Sequence, residues 1–114
     1  MIKRIQSGAR MSGAVVHGNT VYLAGQVADD TSEGVAGQTK QILAKIDALL
    51  KEAGTDKSKL LSTNIWLTDM STFNEMNKVW DAWVSPGNTP ARATVQSDLA
   101  APPYRVEIMC VAAI

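Results

Sequence analysis

The chain has 114 residues and a mass of 12.2 kDa, which predicts a single domain over residues 1–114 with a buried hydrophobic core. Eleven Lys and Arg residues balance eleven Asp and Glu residues, and a net charge of zero argues against a general nucleic-acid or membrane-surface binder. Cys110 and His17 are the only cysteine and histidine, so an intrachain disulfide is excluded and we expect neither a metal nor another cofactor.

The N-terminus carries no targeting pattern. Residues 1–6 have no long apolar run after their charges, and no stretch of the chain approaches 18 consecutive apolar residues. The sequence therefore predicts neither a signal peptide nor a membrane span, and we expect a soluble cytoplasmic protein.

The first predicted elements are a hairpin and a long helix. Ala14–His17 and Thr20–Gln26 read as strands on either side of the turn residues Gly18–Asn19. Apolar residues then recur at helical spacing from about residue 34 to 53. Gly54 follows at the position where a glycine commonly ends a helix.

The C-terminal half combines a second helix with three strands. Thr72 and Glu75 fit a capping box at the start of this helix. An apolar stripe from Phe73 to Trp83 predicts its buried face, and Ser85–Pro86–Gly87 ends it. The predicted strands are Thr63–Thr68, Arg92–Ser97 and Tyr104–Ala113.

This order of elements predicts an α+β sandwich with two helices on one face of a mixed sheet. The last strand is largely apolar on both faces. Its alternation puts Val106, Ile108, Cys110 and Ala112 on one face, and Glu107, Met109 and Val111 among those on the other. Two helices can cover only one face, so we expect self-association through the second. The alternative is a partly exposed apolar strand end.

Five residues are candidates for binding or chemistry. Glu107 is either a solvated carboxylate at the rim of the sheet or a pocket residue with a role. Arg92 suits a bidentate contact with a carboxylate or phosphate, although its spacing alone favours an ordinary ion pair. Gly25 lies in a predicted strand and indicates a close approach, whereas Asn77 fits a satisfied structural amide. Cys110 fits a buried small hydrophobe.

Several spaced blocks together resemble the RidA (YjgF-type) family of reactive-intermediate imine deaminases nearly end to end. The similarity to the YoaB-like branch of that family rests on Asn77–Trp83. The blocks that carry the resemblance are Val21–Gln26, Gln38–Leu50 with Glu52–Gly54, Phe73–Asn77, Pro90–Val95 and Val106–Ile108.

The resemblance implies a chorismate-mutase-like fold, related to the ferredoxin-like sandwich, in a homotrimer with a central barrel and ligand clefts between subunits. It implies hydrolysis of enamines and imines, such as 2-aminoacrylate, to 2-oxo acids and ammonia. By family position, Arg92 would clamp the substrate carboxylate and Glu107 would hold or activate water. The backbones of Gly25 and Thr94 would line the cleft, with Asn77 as a further contact.

The chain departs from the family at three positions. Met11 stands where a family tyrosine reaches into the cleft, Ala24 replaces a serine, and Met109 replaces a second acidic residue. An imine deaminase acting on small carboxylate-bearing metabolites, with no nucleic-acid or membrane partner, is the first hypothesis. A non-catalytic small-molecule-binding or regulatory trimer is the second. An endoribonuclease or translation inhibitor is the weakest, because the chain has no net positive charge and no histidine pair.

Overall fold

The computed structural model describes residues 1–114 as a six-stranded mixed sheet with two helices on one face. The strands follow the order β1-β2-β3-β6-β4-β5, and only β4 and β5 run parallel. This architecture confirms the predicted α+β class. In chain order the elements are β1 (Ile2–Ser7), β2 (Ser12–His17), β3 (Thr20–Leu23), α1 (Val35–Ala53), β4 (Leu60–Leu67), α2 (Phe73–Trp83), β5 (Ala91–Gln96) and β6 (Val106–Ala113).

Helix α1 forms the centre of the covered layer. It begins and ends within a residue of the predicted bounds, and Gly54 closes it with a left-handed φ of 88°. The backbone N–H of Gly54 donates to the last carbonyls of the helix, which is the role expected of a glycine there. The fully buried side chains of α1 include Ile42, Ile46 and Leu50, which pack against the sheet. No helix of the chain is both long enough and apolar enough to cross a membrane.

Two local expectations are wrong at the start of the chain. Residues 2–7 form β1, which pairs with β2, so the hairpin is not the first element. Only Ile5 of this strand is buried, so its own sequence gives little strand signal and pairing stabilises it. The next strand stops at Leu23, three residues early, and Gln26 instead forms an isolated bridge with Ile108.

The predicted capping box of α2 is also wrong. The Thr72 hydroxyl donates to the carbonyl of Asp69 at 2.6 Å, because a single 3-10 turn precedes the helix and Thr72 lacks the extended backbone of a typical cap. The Glu75 carboxylate instead accepts from the backbone N–H of Ala36 at 3.1 Å. The acidic side chain of one helix therefore satisfies the first turn of the other.

Strand β6 has the two faces that its alternation predicts. Val106, Ile108, Cys110 and Ala112 are fully buried under the helices. The alternate residues lie on the opposite face, which no element of the chain covers; we call it the open face. Its residues include Val15, Tyr22, Trp66, Val95, Glu107, Met109 and Val111. Self-association through the open face stays a prediction.

Candidate functional site

Arg92 lies on the edge strand β5 with its side chain against α2. Its guanidinium carbon is 5.3 Å from the ring centroid of Trp80 and 5.8 Å from that of Phe73. These distances fit cation–π contacts, which hold the charge without neutralising it. No carboxylate pairs with Arg92, since the chain's one ion pair joins Lys45 and Asp29. The ordinary ion pair that the spacing favoured is therefore absent, and the half-buried cation is free to bind an anion.

Two polar side chains beside Arg92 have unsatisfied oxygen atoms. Asn77 lies one helical turn from both Phe73 and Trp80, and Thr94 shares the face of Arg92 two residues along β5. Asn77 Oδ1 and Thr94 Oγ1 are buried and have no hydrogen-bond partner. Buried polar atoms are normally paired, so the expectation of a satisfied amide at Asn77 is wrong. We call Arg92, Asn77 and Thr94 the arginine half-site.

Glu107 lies on the open face, where its carboxylate packs directly over Gly25. A Cβ added to Gly25 would overlap Oε2 of Glu107 and lie 2.9 Å from its Cδ. Paired backbone hydrogen bonds between Gln26 and Ile108, of 2.8 and 3.1 Å, hold this stretch against β6. The predicted close approach at Gly25 is confirmed, and we call Glu107 and Gly25 the glutamate half-site.

Met11 lies in the turn between β1 and β2, at the end of the sheet where Gly25 follows β3. The backbone N–H of Gly8 donates to the Met11 carbonyl at 2.8 Å, and that of Ala24 donates to the Gly13 carbonyl at 2.9 Å. The Met11 side chain is 60% exposed. This side chain is an apolar thioether without a hydroxyl, at this end of the sheet.

Strand register places the two half-sites on opposite faces of the sheet. Residues paired across neighbouring strands share a face. Arg92 pairs with Thr63, which pairs with Cys110 under the helices. Glu107 pairs with Trp66, which lies three positions after Thr63 on β4. Because side chains alternate along a strand, this odd spacing puts Trp66 and Glu107 on the open face. Within one chain, therefore, Arg92 and Glu107 do not meet.

Cys110 belongs to the core, as the sequence predicts. Its thiol lies 3.4 Å from the Thr63 hydroxyl, and burial raises the pKa of Cys110 to about 11. Because the thiolate is the nucleophilic form, this residue is a poor nucleophile near neutral pH. No group of three or more His, Cys, Asp or Glu side chains converges to hold a metal ion.

The aromatic support of Arg92 is the feature that the sequence analysis missed. Their spacing predicts only that Phe73 and Trp80 belong to the apolar stripe of α2, yet both rings also face a cation. Their spacing of seven residues puts them on one side of the helix with Asn77 between them. That pattern beside an arginine-bearing strand is the signal that could have indicated the site.

A two-layer α+β sandwich with one uncovered sheet face defines the class of this protein. The family model described as Endoribonuclease L-PSP matches residues 1–114, and the chain belongs to this family. The resemblance to YjgF-type proteins is confirmed by a solved relative, a member of the YjgF protein family from Neisseria meningitidis. That structure is 44% identical, has a TM-score of 0.97, and the match covers 99% of this chain and 94% of that one.

Two curated relatives extend the comparison. The RutC family protein YoaB of Escherichia coli K12 is 46% identical over 99% of this chain and 98% of its own length. The human protein named 2-iminobutanoate/2-iminopropanoate deaminase is 33% identical over 98% of this chain and 90% of its own length. The family thus includes a protein named for imine deamination, while a more similar relative carries only a family name.

Proposed function

We propose that this chain is a cytoplasmic imine deaminase that converts 2-imino acids to 2-oxo acids and ammonia. The observation that carries the proposal is the unpaired guanidinium of Arg92 between two aromatic rings. A half-buried cation of this kind suits the carboxylate that every 2-imino acid carries. The name of the human relative supports the same reaction class.

Arg92 binds the substrate carboxylate through two parallel hydrogen bonds. Its planar fork matches a carboxylate in a way that a lysine ammonium does not. The rings of Phe73 and Trp80 restrict the guanidinium, so less freedom is lost when the substrate binds. Thr94 Oγ1 offers a hydroxyl donor and Asn77 Oδ1 an acceptor to the polar groups beside the carboxylate.

Glu107 supplies the base, and it comes from a second copy of the chain. Because the half-sites lie on opposite faces of the sheet, a site with both residues needs copies that bury the open face, such as the homotrimer that the resemblance implies. Gly25 keeps the backbone clear of the carboxylate.

The reaction needs only water as co-reactant. The carboxylate of Glu107 accepts a proton from water as the water oxygen bonds to the imine carbon, and it passes this proton to the imine nitrogen to give a carbinolamine. Glu107 then accepts the hydroxyl proton of the carbinolamine and returns it to the amine nitrogen as the carbon–nitrogen bond breaks. Ammonia leaves, and the carbon–oxygen bond becomes the carbonyl of the 2-oxo acid. An imine carbon is already electrophilic, so positioning accounts for most of the catalysis.

The test generates several 2-imino acids with an amino-acid oxidase and follows their loss with and without the protein. We expect faster loss with wild type and a fall in kcat/KM of about 10- to 150-fold for Arg92→Ala, from the loss of a charge-assisted contact. Arg92→Lys should lie between the two. Arg105→Lys is the matched control, because Arg105 is exposed outside both half-sites. Unchanged imine loss with wild type overturns the proposal.

A non-catalytic binding protein is the second candidate, and Met11 is the observation that favours it. An exposed thioether at this end of the sheet cannot donate a hydrogen bond to a substrate. This candidate predicts saturable binding of 2-oxo acids that depends on Arg92, with no acceleration of imine loss by wild type. Glu107→Gln separates the two, because it lowers turnover in a deaminase and leaves product binding intact in both.

A further inference from the structure

A groove between the two helices forms a second candidate site, remote from the open face. It has a volume of about 550 Å³, within the range of small-molecule sites. Leu43 of α1 and Val79 and Trp83 of α2 provide apolar walls. Ala44 and Ala82 also line it, and their small side chains leave the space open between the helices.

The rim of the groove is positively charged in a chain of zero net charge. Lys40, Lys57 and Lys78 line it, and no carboxylate pairs with any of them. The one acidic residue, Asp47, accepts a hydrogen bond of 2.9 Å from the indole N–H of Trp83. Three lysines against one aspartate give a local formal charge of +2.

Trp83 joins the apolar and the charged parts of the groove. The ammonium of Lys57 lies 5.1 Å from its ring centroid, in cation–π range. The Asp47 hydrogen bond fixes the orientation of the indole, so a preformed aromatic surface stands beside unpaired ammonium groups. A ligand that matches both must combine a flat apolar body with a negative charge.

We propose that this groove binds aromatic carboxylates, with the ring against Trp83 and Val79 and the carboxylate at the lysines. Apolar burial supplies most of the affinity, since exposed ion pairs are weak singly. The lysines select anions over neutral rings of the same shape. The groove contains none of the residues of the arginine half-site, although the Trp83 ring lies 5.4 Å from that of Trp80. The proposal therefore stands without the deaminase function.

The probe is 2-naphthoate, followed by the indole N–H signal of Trp83 in ¹H–¹⁵N NMR and assigned with Trp83→Phe. Two further ligands separate the contributions: neutral 2-naphthamide has the ring without the charge, and inorganic phosphate has charge without the ring. We expect saturable binding of one naphthoate per chain, with the amide at least about fivefold weaker, as two or more exposed ion pairs predict. Phosphate alone should leave the indole signal unmoved.

Matched variants locate the binding. Ala44→Leu fills the groove at an exposed helical position and should abolish naphthoate binding, while Ala48→Leu, one turn along α1 and outside the groove, should not. The double variant Lys40→Gln/Lys78→Gln removes two charges from the rim of the groove and should weaken naphthoate binding about fivefold. The control double variant Lys51→Gln/Lys59→Gln removes two lysines outside the groove and should leave the affinity within about twofold. Circular dichroism confirms that each variant folds. Equal binding of naphthoate and naphthamide, or wild-type binding by Ala44→Leu, overturns the proposal, as does no binding of naphthoate.

Discussion

Replacement of Gly25 by alanine tests whether the backbone at this position places the Glu107 carboxylate. The new Cβ would overlap Oε2 and lie 2.9 Å from Cδ and 3.2 Å from Cγ of Glu107. The Gln26–Ile108 bridge holds the backbone, so the glutamate side chain must rotate. An off-rotamer side chain costs about 0.5–1.5 kcal/mol, and we expect Gly25→Ala to lower the free energy of unfolding by about 1 kcal/mol. A base displaced by an ångström should lower kcat about 100-fold.

A double-mutant cycle measures this contact directly. Urea unfolding at fixed protein concentration gives the stability loss caused by Gly25→Ala in two backgrounds: the wild type, and Glu107→Ala, which lacks the carboxylate. The stability loss should disappear in the second background. Gly8→Ala is the control, because a Cβ there meets only the Met11 carbonyl oxygen at an ordinary contact distance of 3.5 Å. An equal loss in both backgrounds would refute the reasoning and assign the cost of the alanine to the backbone.

Three further predictions concern the assembly, the core and the support of Arg92. Light scattering should give about three times 12.2 kDa, since the open face needs a cover; a monomer at micromolar concentration would contradict this. Because burial raises the pKa of Cys110 to about 11, its contribution to stability is complete below pH 9 and is lost as the pH rises towards 11. Wild type should therefore lose about 2–3 kcal/mol relative to Cys110→Ala between pH 8.5 and 11 in urea unfolding, and a parallel pH dependence of the two proteins would be evidence against this burial. Trp80→Leu should raise KM about 2- to 30-fold through the lost cation–π contact, while Trp80→Phe retains most of the affinity; equal KM values for these two variants would show that the ring does not support Arg92.

The sequence predicts the elements whose signals are local and repeated. The period of α1 runs through five turns and ends at Gly54, and the alternation of β6 directly gives its two faces. Strand β1 has only Ile5 buried, so it depends on pairing with β2, which no local pattern records.

The candidate site likewise combines features that have a local sequence signal with features that depend on tertiary packing. The close approach at Gly25 could be predicted because a glycine inside a predicted strand indicates one, although the strand itself ends at Leu23. The support of Arg92 could not, because it depends on how β5 docks beside α2, and Phe73 and Trp80 fit the core equally well by spacing. The separation of Arg92 from Glu107 follows from the register through β4, which pairs strands that are distant in the sequence.

Complementation between two inactive variants tests the divided site most directly. Arg92→Ala and Glu107→Gln chains would be unfolded together in equal amounts, refolded and assayed for imine hydrolysis beside each variant alone. If one copy supplies Arg92 and its neighbour supplies Glu107, random mixing unites the intact side chains at about one interface in four. The account predicts recovery of about a quarter of wild-type activity from two nearly inactive proteins. A mixture no more active than its components would contradict it.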